Sequence, residues 1–382
     1  MSERVQPSVK DAKSIAVFCL FLGAAATLAT GQLFGYLGFL PELSQRFGQG
    51  VSLGLPLFAL GYAIGMVSIG SLAERFGARH IMVMSLLLGG LLSVAIGFST
   101  TLPILLLLRL AEGVVLGGFP PAAFVAANQK VPAQNILFAN SAMAFGLLGS
   151  AGIAGLFTHL FGPLLHWQLG FIMYGCLLLL AALSAFMQKG IRPGNRKSLS
   201  PHKNFRFELR NPELLRSILL GASTMAVFVF VNSTTQRSPH AMFALGIVVV
   251  IVLAVLSFSK SLIRYRTDSR RLSGLGLILS GVAVITVQPD LVLLALALVC
   301  VGATITIPAS IQSVVMSAQK SVPSAVAIFT CSLFVGGAAV GMVVTGLLPI
   351  TATTVVYILD GCVILATGVA VVHYRTYSKA SR

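Results

Sequence analysis

Apolar runs of about twenty residues follow one another from end to end of this chain, separated by short polar or charged breaks. A helix rises 1.5 Å per residue, so a run of about 20 residues spans the ~30 Å hydrocarbon core of a bilayer. Splitting the runs at charges and at Pro/Gly breaks predicts helices near 14–40, 51–72, 80–100, 103–127, 133–160, 166–188, 214–236, 240–260, 272–288, 290–314, 322–347 and 351–373. The first run follows a polar start with Lys10 and Lys13 and is too long for a signal sequence, so it is expected to stay as a helix. One break is long. Between 189 and 213 the chain turns polar and basic, and it divides the expected helices into a bundle over 1–188 and a second over 214–382.

Composition and charge fit the same picture. At 382 residues, 56% hydrophobic and a mean hydropathy of +0.93, the chain is too apolar for a soluble fold of this length. A net charge of +16 would suggest nucleic acid in a soluble protein, but here it is read by side of the membrane. With the N-terminus inside, every Lys and Arg except Arg46, Arg109 and Arg237 falls on the cytoplasmic side. Both termini are therefore expected in the cytoplasm, and the bilayer, not nucleic acid, is the expected partner. The five cysteines, Cys19, Cys176, Cys300, Cys331 and Cys362, all lie in apolar runs, which argues against a disulfide framework or a thiolate metal site. No phosphate-binding loop, metal-ligand spacing or nucleophile constellation stands out, so neither an enzyme nor a bound cofactor is expected.

The two halves echo each other. Ser71-Leu72 corresponds to Ser261-Leu262, and Val131-Pro132 to Val322-Pro323, at offsets of about 190 residues. Beyond the second pair, Phe138, Ser141, Gly146, Gly155 and Leu156 fall on Phe329, Ser332, Gly337, Gly346 and Leu347. Duplication of a six-helix unit accounts for both offsets.

Two motifs carry ions. The loop Gly70-Ser-Leu-Ala-Glu74-Arg75-Phe-Gly77-Ala-Arg79-His80 joins the second and third expected helices. The fourth contains Arg109-Leu-Ala-Glu112-Gly113-Val-Val-Leu-Gly117-Gly118. The loop resembles the Gly-x-Leu-Ala-Asp-Arg-x-Gly-Arg-Arg motif of the major facilitator superfamily, with Glu74 for Asp and Ala78 for the first Arg. The helix resembles that superfamily's Arg-x-x-Gln-Gly-x-Gly-Ala motif, with Glu112 for Gln. Gly146 to Gly155 keeps the small-residue spacing of the antiporter element Gly-Pro-x-x-Gly-Gly but has Ser150 where the proline would sit. The resemblance implies an all-α membrane protein of about twelve transmembrane helices in two pseudo-symmetric six-helix bundles, rocking about a midplane site.

Glu112 lies about 13 Å into the core by helical rise, where an ion costs about 2.5–3.5 kcal/mol and needs a partner. Arg109, three residues earlier, shares its face. The pair reads as proton-coupling: burial disfavours the carboxylate, Arg109 favours it, and opening the cavity switches its proton occupancy. The alternative is a static ion pair joining helices. Family geometry points to Gln32, Tyr36, Arg109, Glu112, Phe119, Asn232, Thr304 and Thr306 as cavity lining, with Asn140 approaching from the fifth helix. Gly70, Glu74, Arg75, Gly77 and Arg79 are expected to gate, with Glu74 near the start of the eleventh helix around Ser321 to Ser324. Asp360 reads as structural and Asp290 as a helix cap. Glu42 and Arg46 read as a rim, and His159 and His166 as loop residues beside Trp167.

The expectation is a monomeric transporter in a bacterial inner membrane, driven by the proton gradient and exporting a small organic solute. Uptake or facilitation of a small organic anion is the alternative, and a transport-inactive membrane sensor the rival of another class.

Overall fold

The computed structural model describes residues 9–132, 135–162, 164–191, 208–235, 267–287, 291–318 and 322–344. Among these the chain forms α1 (Val9–Phe47), α2 (Gly54–Ser68), α3 (Ala78–Gly97), α4 (Leu102–Gly117), α5 (Phe119–Lys130), α6 (Ile136–Phe161), α7 (Trp167–Met187), α8 (Pro212–Thr235), α9 (Thr267–Val287), α10 (Val292–Ser317) and α11 (Val322–Val344). Among the described residues eight stretches are long and apolar enough to cross a membrane, and Ser324–Val340 is a shorter apolar helix. The helices expected at 240–260 and 351–373, with Asp360, lie outside the described residues, as do Asp290 and most of the basic linker.

Three boundaries differ from the sequence expectation. α1 continues to Phe47 straight through Pro41, so Glu42 and Arg46 belong to its last turns and not to a following loop. The second helix starts at Gly54 behind a 3-10 turn, Gln49–Leu53, and ends at Ser68 before another, Gly70–Leu72. The fourth is two helices. Pro120 and Pro121 have no N–H to donate to the carbonyls four residues earlier, so the ladder stops at Gly117 and restarts at Phe119.

Helix pairing follows the positions of small residues. In the first half the extensive contacts are α1 with α6, α2 with α4 and α3 with α7; in the second they are α8 with α11, α8 with α10 and α9 with α10. At the α2–α4 crossing, Gly61 and Gly65 on α2 meet the carbonyls of Leu110 and Val114, while Gly113 and Gly117 on α4 meet those of Phe58 and Tyr62. Any side chain at these four positions would occupy the partner's backbone, so the close approach depends on glycine. Gly146 packs on α1 and Gly337 on α8, the same relation in the two halves.

The halves meet mainly along α2 and α11, with a smaller contact between α6 and α10. Aromatic rings fill the seam: Tyr62 stacks on Phe334 with centroids 4.4 Å apart, and Phe34 meets Phe228 edge-on at 6.4 Å. Beside them lies a narrow apolar cleft, with a cavity volume of about 20 Å³, bounded by Leu33, Leu55, Met225 and Gly337 among others. In the second half Arg271, almost fully buried, bonds Glu213 and the Ser217 hydroxyl, and Ser313 donates to the same Glu213 carboxylate at 2.7 Å. That node ties together α8, α9 and α10.

Gly113→Val forces a branched side chain against the Phe58 carbonyl, an overpacking that costs about 3 kcal/mol. The thermal midpoint of the detergent-purified protein is expected to fall sharply. Gly155→Ala, at a helical glycine with open space around its Cβ position, is expected to leave the midpoint unchanged or slightly raised.

Candidate functional site

Arg109 and Glu112 sit on α4 one turn apart, and both side chains are fully enclosed. Arg109 Nη1 donates to Glu112 Oε2 at 2.7 Å, and its Nη2 donates to the Gln32 carbonyl of α1 at 3.1 Å. Three rings surround the guanidinium carbon, those of Phe58 at 4.4 Å, Tyr36 at 4.6 Å and Phe171 at 5.7 Å. A guanidinium is weakly hydrated and planar, so aromatic faces substitute for water around it better than they would for an ammonium. Glu112 Oε1 and Arg109 Nε are enclosed without a hydrogen-bond partner.

A second polar chain runs beside the pair. Gln32 Nε2 donates to Ser93 Oγ of α3 at 2.8 Å, and Ser93 donates to the Phe171 carbonyl of α7 at 2.9 Å. Tyr36, whose ring covers Arg109, donates its hydroxyl to the Val51 carbonyl at 2.6 Å, in the 3-10 turn that precedes α2. The Tyr36 hydroxyl also fills the space where a side chain at position 54 would stand, so only Gly54 fits there. One side chain therefore touches both the ion pair and the turn.

Gln32, Tyr36, Arg109 and Glu112 are thus brought together, but inside the first bundle. The groups around the pair come from α1, α2, α3 and α7. Phe119 is fully buried at the first position of α5, where it marks the restart of the helix. Thr306 corrects an expectation: its Oγ1 lies against Gly274 of α9, so it faces that helix and not α1 and α4. Asn140 is nearly buried with its Oδ1 unpartnered. The side chains of Asn232 and Thr304 lie outside the described ones. Ser93, Phe58 and Phe171 were not expected here. Ser93 carried a faint signal, as a polar residue amid an apolar run, but nothing in its own helix names its partners.

The 70–79 loop is built of tight contacts. A side chain at Gly70 would strike the Pro121 ring, and the turn Gly70–Leu72 lies against α11. Gly77 has φ 94, a conformation that costs any residue with a Cβ, and from there α3 starts. Arg79 donates to the Phe186 carbonyl at the end of α7, with its guanidinium 5.1 Å from the Phe186 ring. Arg75 is exposed, its guanidinium 5.7 Å from the Phe76 ring. The Glu74 side chain lies outside the described ones.

The enclosed Arg109–Glu112 pair on α4 and the charged loop with its positive-φ Gly77 are the two segments that carry the motifs. The profile of the Major Facilitator Superfamily matches residues 15–266. The chain belongs to the major facilitator superfamily.

Relatives within the superfamily carry different names. The chain is 26% identical over 223 residues to an uncharacterized transporter of this type, YybF of Bacillus subtilis, a match covering 54% of each chain. It is 33% identical over 152 residues to the 4-hydroxybenzoate transporter PcaK of Pseudomonas putida, covering 38% of this chain and 34% of that one. It is 24% identical over 246 residues to the quinolone resistance protein NorB of Staphylococcus aureus, covering 63% and 50%. These matches span about half or less of each relative's length.

Removing one member of the pair strands the other in an apolar interior, whereas removing both with apolar residues of like size does not. Arg109→Met is expected to cost about 3 kcal/mol of stability and Arg109→Met with Glu112→Leu much less, read as thermal midpoints of purified protein. Tyr36→Phe keeps the ring over Arg109 and loses the bond to Val51, worth about 1 kcal/mol. It is expected to leave folding intact while raising the accessibility of a cysteine introduced at Ser52 to a membrane-impermeant maleimide.

Proposed function

We propose that this member of the superfamily is a proton-coupled secondary transporter of a small organic solute, working by alternating access in a bacterial inner membrane, and that it exports its solute in exchange for protons. The observation that carries the reading is the enclosed Arg109–Glu112 pair. A carboxylate held in an apolar interior is stable as an ion only while its counter-charge stays in place, and a proton on the carboxyl removes that requirement. Glu112 is the proton carrier, with one oxygen on Arg109 and the other unpartnered. Arg109 is the fixed charge that keeps the carboxyl ionised until the bundle rearranges. Tyr36 passes that rearrangement to the turn before α2.

In this reading the two bundles, 1–188 and 214–382, rock against each other along the α2–α11 seam, with both termini and the basic linker in the cytoplasm. The 70–79 loop is the cytoplasmic gate, and its contact with α11 supports that role. Asn140, Asn232 and Thr304 are the polar residues proposed to meet the solute as the seam opens. Proton motive force is the energy source and the monomer the working unit.

A second reading has one observation in its favour. Guanidinium is the natural partner of a carboxylate, and a relative is named for a carboxylate solute, 4-hydroxybenzoate. In that case the chain takes up a small organic anion.

The test is purified protein in liposomes with an imposed pH gradient and a panel of labelled cations, neutral solutes and aromatic carboxylates. Efflux accelerated by an acidic exterior supports antiport, and accumulation of a carboxylate from an acidic exterior supports the second reading. Glu112→Gln is expected to abolish gradient-driven flux while downhill exchange continues. Undiminished gradient-driven flux in that variant removes Glu112 as the proton carrier.

A further inference from the structure

A crevice opens at the end of the first bundle opposite the 70–79 loop, between the last turns of α1, the end of α3 and the start of α7. Its walls include Glu42, Arg46, Phe98, Trp167, Gln168 and Leu169, and it encloses about 1280 Å³ including the part open to the surroundings. The proton-coupling reading uses none of these groups.

Its charges are arranged and only partly satisfied. Glu42 is fixed: its Oε2 accepts the Trp167 N–H at 3.0 Å, which caps α7 from a neighbouring helix, and its Oε1 lies 3.0 Å from His166 Nδ1. Arg46, one turn further along α1, lies with its guanidinium 5.6 Å from the Phe47 ring centroid and 5.7 Å from that of Trp167. No carboxylate pairs with it among the described residues. The Gln168 Oε1 is enclosed and accepts no hydrogen bond. Against these polar groups stand Phe98 and Leu169, 71% and 48% exposed, on the outer surface of the bundle.

We propose that this crevice binds the headgroup of a zwitterionic lipid with a primary ammonium, phosphatidylethanolamine in chemical class. The lipid phosphate takes the open guanidinium of Arg46. The ammonium, two carbons away, donates to the part-exposed Glu42 carboxylate, one helical turn from Arg46. The acyl chains lie along Phe98 and Leu169. A helix end at the edge of the hydrocarbon core, with an interfacial Trp beside an Arg, is where a headgroup resides. A choline headgroup carries no N–H, so it cannot donate to the Glu42 carboxylate, and the site discriminates on that ground.

The experiment is lipid retention by the full-length purified protein, measured by native mass spectrometry after exchange into equimolar phosphatidylethanolamine and phosphatidylcholine. Phosphatidylethanolamine is expected to be retained at least about tenfold over phosphatidylcholine, the ratio of one lost charge-assisted bond. Arg46→Ala is expected to lower retention of both lipids, and Glu42→Gln, whose amide oxygen can still accept the Trp167 N–H, to lower the preference alone. Equal retention of the two lipids, or retention unaffected by Arg46→Ala in protein with an unchanged melting midpoint, overturns the proposal. Displacement of the lipid by millimolar soluble phosphoethanolamine would assign the crevice to a water-borne solute and overturn the lipid assignment. Glu112→Gln is expected to leave retention untouched, which separates this site from the transport reading.

Discussion

A guanidinium and a carboxylate in the interior of an apolar bundle set the terms for much of the first half of this protein. Each ion loses several kcal/mol of hydration on burial, and attraction between them compensates only when the geometry is good and the remaining polar atoms find partners. Here the contact is 2.7 Å, a main-chain carbonyl takes a second guanidinium N–H, and three aromatic rings occupy the space where water would otherwise be needed. That shell draws on α1, α2 and α7, so the positions of these helices are not independent of the charge. Loss of either charge would be felt by all of them.

Glycine makes the enclosure possible. At the α2–α4 crossing four glycines let backbone approach backbone, which brings Phe58 within reach of Arg109. With no hydrophobic driving force between helices in lipid, this close packing supplies much of the association energy. The second half is held differently, by glycine contacts at α8–α11 and by the Arg271–Glu213 node joining α8, α9 and α10. Between the halves the described contacts are largely rings and aliphatic groups, a seam that can separate without stranding an ion. Among the described residues the buried ion pairs lie within each half and the seam between the halves is lined by apolar groups.

Relatives in the superfamily are named as a 4-hydroxybenzoate transporter and as a quinolone resistance protein, and one fold serves such different solutes. An ion pair enclosed in one bundle can couple a proton to either direction of flux. Direction and solute are set by particular side chains, not by the fold.

The apolar runs and their breaks determined the helical class, the membrane, and eight of the eleven described helices to within about five residues, because hydrophobic length and charge are local properties. They determined the Arg109–Glu112 contact as well, since a spacing of three residues on a helix settles which side chains are neighbours. What they left open depended on partners far away in the chain. Pro120 and Pro121 were legible, yet whether they kink a helix or split it depended on the packing around Gly118, where Ile69 and Ser85 close in. Thr306 was polar and in the right helix, but its rotation toward α9 was fixed by Gly274 across the interface. Ser93, Phe58 and Phe171 look like any other membrane residues until three helices converge on one guanidinium. The periodicity of one helix says which residues share a face; which neighbour that face meets is decided only when the bundle assembles.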